Sequence, residues 1–164
     1  ELAKTYQAKV VVMIRPRGGE FVYSQEELAI MLEDMKCARE LGVDGFVLGA
    51  LTSENQVDKD ALRTLLEASQ GLEVTMHMAF DQIAIEDQPS AIQWLKENGV
   101  TRLLTRAGTP DTPIHLRLQA YAELVQLADG QLEILAGGGI SVTNRDRFLA
   151  IPGLEQVHGT RIVF

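Results

Sequence analysis

A single kind of unit repeats along the chain: a short run rich in Val, Ile and Leu, then a loop, then a segment of helical periodicity. The apolar runs recur roughly every 25 to 35 residues and have the length of strands. They occupy residues 9–14, 45–51, 72–77, 101–105, 132–136 and 156–158. Strands that alternate with helices pair in parallel through crossover helices. The repeat therefore predicts an α/β fold.

Helix signals lie between the apolar runs. Ser24, with Glu27 three residues later, forms a capping box ahead of an apolar stripe. Asp58 is a good N-cap for the next helix. Pro89 and Pro113 fit the first turns of two further helices. The chain thus reads as a series of βα units without a boundary that would divide it into two domains.

Two architectures are built from such units, the open doubly wound sheet and the closed (β/α)8 TIM barrel. Polar residues follow several different runs, at Arg15, His77, Thr105 and His158, which favours a barrel mouth over a single crevice. No run is followed by the G-x-G-x-x-G of a dinucleotide-binding fold. We predict one domain over residues 1–164, an incomplete TIM barrel with about six of its eight βα units.

Composition excludes several classes of partner. The 164 residues include 23 acidic and 15 basic side chains, a formal net charge of −8, which argues against nucleic acid and anionic membranes. No apolar run approaches the roughly 20 residues that span a bilayer. Cys37 is the single cysteine, which excludes an intrachain disulfide and fits a cytoplasmic protein. Its position on the flank of an amphipathic helix predicts a half-buried apolar side chain.

The densest polar motif is I-R-P-R-G-G-E-F, residues 14–21, at the end of the first predicted strand. Arg15 and Arg17 are separated by one residue, so they point to the same side of an extended chain. Guanidinium groups bind carboxylates and phosphates, and the paired glycines let backbone N–H groups approach a ligand. The alternative is that both arginines form ion pairs with Glu20 and Asp81 that fix the barrel rim.

A second motif, M-H-M-A-F-D, ends the third predicted strand. His77 points inward, and Asp81 follows four residues later in the loop. Such a pair can act as general acid and base, with the carboxylate fixing the histidine tautomer, or can contribute to a metal site. The alternative is a hydrogen-bonded core histidine. Met76 and Met78 have the opposite parity, which predicts that both pack against helices.

Two motifs near the end of the chain predict an anion site. Gly137, Gly138 and Gly139 lead from the fifth run towards a helix, and glycine-rich backbone at that point of a barrel often binds phosphate. The alternative is that these glycines only permit a tight turn. His158 and Thr160 add polar groups at the same rim.

Together and in this order, the motifs resemble the CutC copper homeostasis family. The matching stretches are residues 14–21, 31–42, 77–81, 103–108 with 111–114, 135–140 and 158–162. The resemblance implies an eight-stranded barrel, copper binding and copper homeostasis in the cytoplasm, and assembly into dimers or tetramers. Family members begin with two further βα units that carry an acidic residue and a cysteine, and we expect these units to be missing here. Carried across, the rim positions are Arg15, Arg17, His77, Asp81, Gly137, Gly138, Gly139 and His158.

Two functions remain open at this point. The resemblance implies a copper-binding or copper-tolerance protein, with copper as its ligand. The residues themselves favour a barrel enzyme of unassigned reaction on a small anionic or phosphorylated metabolite, with His77 and Asp81 as acid and base. Cu(I) prefers thiolate and thioether ligands, and an arginine-rich rim repels a cation. The ligand contacts predicted for the enzyme are Arg15, Arg17, Thr105, Gly137, Gly138, Gly139, His158 and Thr160. A third possibility is a homo-oligomer subunit whose outer surface carries the function.

Overall fold

The structure is a computed structural model that describes residues 2–163. Its centre is one sheet of six parallel strands whose spatial order is the order along the chain. The strands are β1 (Val11–Met13), β2 (Gly45–Leu48), β3 (Glu73–Met76), β4 (Arg102–Thr105), β5 (Glu133–Ala136) and β6 (Gln156–Val157). Because the strand order never reverses, the sheet curls into part of a barrel instead of forming a doubly wound sheet. The prediction of an incomplete α/β barrel is confirmed.

Helices connect the strands and cover one face of the sheet. They are α1 (Leu2–Thr5), α2 (Gln25–Glu40), α3 (Lys59–Ser69), α4 (Gln88–Glu97), α5 (Ile114–Ala128) and α6 (Arg145–Leu149). A 3₁₀ helix, Met78–Gln82, follows β3 directly. This turn begins two residues after the strand ends, and it changes where the side chains of the second motif point.

Two of the predicted caps fix the starts of the helices beside β1 and β2. The Glu27 backbone N–H donates to the Ser24 hydroxyl at 3.3 Å, and the Ser24 backbone N–H donates to the Glu27 carboxylate at 2.8 Å. The Ala61 backbone N–H donates to the Asp58 carboxylate at 3.0 Å. These bonds satisfy backbone donors that would otherwise lack partners, so both predicted caps are confirmed.

Strand register separates a helix-covered face of the sheet from an inner face. Phe46, Met76, Leu103 and Ile134 share the helix-covered face, and each is at most 2% exposed. Met13 lies on the inner face and is 56% exposed. The helix-covered face therefore carries the core, and the inner face is free to present polar groups.

Charged side chains close the inner face at the amino ends of the strands. Glu73 pairs with Lys9, and its carboxylate lies 3.8 Å from the Arg102 guanidinium. Arg102 Nη2 in turn lies 2.7 Å from Glu133 Oε2. In barrels this end contributes to stability, whereas ligands bind at the carboxyl ends of the strands. A ligand site is therefore expected at the carboxyl ends of the strands.

Candidate functional site

The guanidinium of Arg17 donates hydrogen bonds within its own loop and to the start of α2. Its Nε donates to Glu27 Oε1 at 2.5 Å, and its Nη atoms donate to the carbonyls of Glu20 at 2.9 Å and Val22 at 2.7 Å. These bonds tie the loop after β1 to the start of α2. The contacts of Arg17 match the structural alternative, with Glu27 as the acidic partner in place of Glu20 or Asp81, and a ligand contact of Arg17 remains a prediction.

Arg15, unlike Arg17, has no acidic partner within residues 2–163. Its Nη2 donates to the Gly19 carbonyl at 2.6 Å, and its guanidinium carbon lies 4.4 Å from the centre of the Phe21 ring. Its Nε is buried without a hydrogen-bond partner. Of the two arginines in the motif, Arg15 is the one whose charge remains available.

His77 is a buried, neutral imidazole. It is 3% exposed, and its Nδ1 accepts a hydrogen bond from the Ala79 backbone N–H at 3.2 Å. Burial, and next the Arg15 charge, lower the pKa of His77 to about 4. Because Nδ1 is an acceptor, the single ring proton of the neutral form lies on Nε2, which has no partner in the described part of the chain.

Asp81 does not pair with His77. It accepts from the Thr105 hydroxyl and, at 2.9 Å, from the Arg106 backbone N–H. Burial raises the pKa of Asp81, and the hydrogen bonds from Thr105 and Arg106 oppose that shift. Asp81 also lines a separate cavity of about 450 Å³ beside Ile83. The predicted acid–base pair of His77 and Asp81 is therefore not assembled.

Thr105 is a buried residue that hydrogen-bonds the loop after β4. It is fully buried, and register places it with Leu103 on the helix-covered face. Its hydroxyl donates to Asp81 and accepts from the Ala107 backbone N–H at 2.9 Å. The prediction that Thr105 contacts a ligand is corrected: its side chain has no free surface, and its hydrogen bonds position the start of the loop after β4.

The two methionines of the second motif differ in position. Met76 is fully buried on the helix-covered face, as predicted. Met78 is not, because the chain has already left the strand for the 3₁₀ helix. A Cβ added at Gly137 would lie 2.6 Å from Met78 Cε, so Met78 lies across the mouth towards β5.

The two late motifs meet at one cavity of about 720 Å³ at the carboxyl ends of β5 and β6. Gly138 and Gly139 line it, with φ angles of +73° and +74° that favour glycine. Gly137 is buried beneath them, and its backbone N–H donates to the Thr105 carbonyl at 2.9 Å. The remaining lining residues are Met78, Ile140, Ser141, Val142, Thr143, His158, Gly159, Thr160 and Arg161. The predicted residues Gly138, Gly139, His158 and Thr160 are thus brought together, while Arg15 and His77 lie at the ends of β1 and β3.

Arg106 borders the cavity, and it was not predicted as a site residue from the sequence. Its side chain lies against Gly138, because a Cβ added there would be 2.8 Å from Arg106 Cζ. Its backbone N–H donates to Asp81, and the Arg106 charge acts on that carboxylate, but its guanidinium forms no hydrogen bond or salt bridge within residues 2–163. Strand alternation could have predicted this position. Arg106 follows Leu104 by two residues, and the register of β3 and β4 places Leu104 on the inner face with Thr75.

Two polar residues of α5, Arg117 and Tyr121, bind the backbone at the carboxyl ends of β4 and β5. Neither of them was predicted from the sequence. Arg117 donates to the carbonyls of Arg106 at 2.9 Å and Gly137 at 2.6 Å. The Tyr121 hydroxyl donates to the Thr105 carbonyl at 2.7 Å and accepts from the Gly137 backbone N–H at 3.1 Å. Burial raises the pKa of Tyr121, so it stays a neutral hydrogen-bonding group. Arg117 and Tyr121 are one helical turn apart on a mainly apolar face of α5, and this spacing could have indicated that both side chains point towards the sheet.

The described donor set does not fit copper. Cu(I) prefers sulfur ligands, but Cys37 is exposed on α2, Met76 is buried beneath helices, and Met78 is the one sulfur among the described lining residues of the mouth cavity. Cys37 was expected to be half-buried, so this expectation is corrected. Within residues 2–163, no three His, Cys, Asp or Glu side chains are grouped so that they could hold a metal ion. The Arg15 charge beside His77 further disfavours a cation there.

Comparison with known proteins identifies the family. The family model described as the CutC family matches residues 1–163. The chain belongs to the CutC family. A CutC family protein of Enterococcus faecalis is 45% identical over 161 residues, which cover 98% of this chain and 77% of that protein. A human protein named as a copper homeostasis protein cutC homolog is 36% identical over 155 residues, which cover 94% of this chain and 55% of that protein.

A solved structure supports the same family assignment. The crystal structure of CutC from Streptococcus agalactiae matches with a TM-score of 0.95 at 42% identity, over 99% of this chain and 77% of that one. The predicted resemblance and the barrel fold of this CutC family member are both confirmed. Among residues 2–163, no helix combines the length and the apolar character needed to cross a membrane.

Proposed function

We propose that this CutC family member binds a small phosphorylated metabolite in the cavity at the carboxyl ends of β5 and β6. One observation carries the proposal: the lining of that cavity includes Arg161, His158 and several hydroxyls, and no Asp or Glu of residues 2–163 belongs to it. In a chain whose formal net charge is −8, a lining that carries a cation and no carboxylate favours an anionic ligand over a cation.

The cavity lining and Arg106, which lies next to it against Gly138, have the donors that a phosphate needs. The backbone N–H groups of Gly138 and Gly139 donate to no backbone carbonyl within residues 2–163. The guanidinium of Arg106 lies against Gly138, with its donors free. Phosphate oxygens accept well from backbone N–H groups at glycine-rich turns and from guanidinium forks. Arg106 and the glycine turn would therefore hold the phosphate.

Isothermal titration with inorganic phosphate at constant ionic strength tests the proposal. We expect the wild-type protein to bind with a Kd below about 1 mM. Arg106→Gln should weaken binding at least about tenfold, since a charge-assisted hydrogen bond is lost. Arg147→Gln, an exposed arginine of α6, is the matched control and should change nothing. Equal affinity in wild type and Arg106→Gln would contradict the proposal.

Copper binding is the second candidate, and it is favoured by the names of relatives such as the human copper homeostasis protein cutC homolog. Its direct test is a Cu(I) titration against a competing chelator, with Cys37→Ser and His77→Gln as variants. Because the described donors do not fit Cu(I), we expect an affinity no better than micromolar. Tight binding that either variant abolishes would favour copper over phosphate.

Several expectations remain predictions beside these two candidates. Roles for His77 and Asp81 as proton donor and acceptor now have to be considered separately, because the two side chains are not in contact with each other. The cytoplasmic location and the assembly into dimers or tetramers are likewise predictions, and light scattering on the purified protein tests the assembly.

A further inference from the structure

Three buried polar atoms without partners lie together at the ends of β1 and β3. Among residues 2–163, five buried side-chain nitrogen or oxygen atoms lack a hydrogen-bond partner. Three of them are Arg15 Nε, Tyr23 Oη and His77 Nε2, whereas those of Glu73 and Trp94 belong to the base of the barrel and to α4. Buried polar groups are normally hydrogen-bonded, so a group of three requires an explanation.

Phe21 contacts Arg15 and His77, and Tyr23 joins them through Arg15. The Phe21 ring centre lies 4.9 Å from that of His77 and 4.4 Å from the Arg15 guanidinium carbon. The Arg15 charge lowers the pKa of His77, and the charge of Arg15 and its side-chain interaction with the Tyr23 hydroxyl oppose the rise that burial causes in the pKa of Tyr23. Tyr23 is 9% exposed and His77 is 3% exposed. Arg15 therefore lies between Tyr23 on one side and the Phe21–His77 pair on the other, so the three side chains form one continuous series of contacts.

All three atoms can donate a hydrogen bond. An arginine has only donors, and the Tyr23 hydroxyl has one. His77 donates from Nε2, because its Nδ1 already accepts from the Ala79 backbone N–H. The neighbouring Arg17 charge is compensated by Glu27. The cluster thus offers three donors and one uncompensated positive charge, which suits a group that is anionic, carries a single charge and accepts several hydrogen bonds.

We propose that Arg15, Tyr23 and His77 bind a carboxylate of the ligand, as a second pole opposite the phosphate at Gly138 and Arg106. A carboxylate matches the single charge and accepts up to about four hydrogen bonds in a plane. Adjacent strands are about 4.8 Å apart, so the ends of β3 and β5 are separated by about 10 Å. The ligand class is therefore a short phosphorylated carboxylic acid. The proposal rests on the proposed function for the position of the phosphate, and the Phe21 side chain must move for the carboxylate to enter.

The three histidines of the chain report on the two poles separately. His77 belongs to the carboxylate pole, His158 lines the phosphate cavity, and His115 is exposed on α5 as an internal control. We would titrate protein labelled with ¹⁵N in its histidines with sodium acetate and, separately, with inorganic phosphate at fixed pH and ionic strength. Acetate should shift only the His77 ring, and phosphate only the His158 ring.

Tyr23→Phe tests the carboxylate pole without removing a large side chain. It removes a hydroxyl that has no partner, so the melting temperature should not fall, yet acetate affinity at His77 should drop at least about fivefold. Tyr6→Phe removes an exposed tyrosine hydroxyl and is the control, with no expected change. An unmoved His77 ring at about 100 mM acetate, or equal acetate affinity in wild type and Tyr23→Phe, overturns the proposal.

A probe with both charged groups tests whether the poles act on one ligand. 3-Phosphoglycerate should bind at least about tenfold more tightly than glycerol 3-phosphate, which lacks the carboxylate. Equal affinities for 3-phosphoglycerate and glycerol 3-phosphate would overturn the proposal that one ligand contacts both poles. If acetate shifts His77 while phosphate leaves His158 unmoved, the phosphate cavity fails and the carboxylate pole stands, so the two claims fail separately.

Discussion

At position 77 the surroundings hold an imidazole in its neutral form. Burial and the Arg15 charge lower the pKa of His77 to about 4, from 6.5 in the unfolded chain. As the pH falls, the unfolded chain takes up this proton first, so stability is lost between about pH 6.5 and pH 4 and is constant below that range. The histidine therefore links folding to pH while remaining a hydrogen-bond donor through the physiological range.

This linkage predicts a difference between two proteins that can be measured. The free energy of unfolding of the wild type should fall by about 2 kcal/mol more than that of His77→Gln between pH 7 and pH 5. Urea unfolding of both proteins at the two pH values gives this difference. The raised pKa of Asp81 acts in the opposite direction, but it is common to both proteins and cancels. Parallel pH dependences would contradict a buried neutral His77.

Gly138 tests the contact between the glycine turn and Arg106. An alanine there meets both a φ of +73° and the Arg106 side chain at 2.8 Å. Gly99→Ala is the matched control, because Gly99 has a φ of +79° and nothing within 4 Å of an added Cβ. Both variants should lose about 1 kcal/mol of stability from backbone strain, but only Gly138→Ala should weaken phosphate binding. Equal phosphate affinities would show that the Arg106 contact does not matter.

At the scale of elements, α5 determines the shape of the rim although it contributes no lining residue to the larger cavity. Arg117 and Tyr121 reach under the ends of β4 and β5 and bind the carbonyls of Arg106 and Gly137. A strand end that is held in this way presents the following turn in one conformation. The helix thus positions the phosphate site without contacting the ligand.

Arg117→Lys tests this role. A lysine cannot reach both carbonyls as the guanidinium fork does, so we expect a loss of about 2 kcal/mol in the free energy of unfolding, from one or two buried hydrogen bonds. Phosphate affinity should fall as well, because the turn that carries Gly138 loses its support. A stability loss with unchanged phosphate affinity, measured by titration calorimetry below the unfolding range, would reduce Arg117 to a purely structural residue.

The sequence was sufficient for the elements but only partly for the site. Apolar periodicity and the caps at Ser24 and Asp58 predicted strands and helices because these signals are local. His77 and Asp81 were wrongly paired because a 3₁₀ turn, which the strand pattern conceals, redirects the chain after β3. Arg106 and Tyr23 were missed because their importance depends on which contacts remain unmade, and that is a property of the folded chain.

At the scale of the whole molecule, charge is distributed unevenly over an acidic protein. The amino ends of the strands carry ion pairs among Lys9, Glu73, Arg102 and Glu133 that stabilise the barrel. The carboxyl ends carry Arg106, which forms no salt bridge in the described part of the chain although Asp81 lies near it, beside a cavity whose described lining has no acid. This separation of a stable base from a cationic mouth supports an anion as the ligand of this CutC family member.

A crystal structure of the protein with inorganic phosphate at low millimolar concentration tests that claim most directly. We expect a phosphate in the cavity beside β5 and β6, within hydrogen-bond distance of the Arg106 guanidinium and of a backbone N–H of Gly138 or Gly139. A phosphate-free cavity in a crystal whose Arg106 remains without a salt bridge would contradict anion binding at this site, and so would a metal ion bound at the same place.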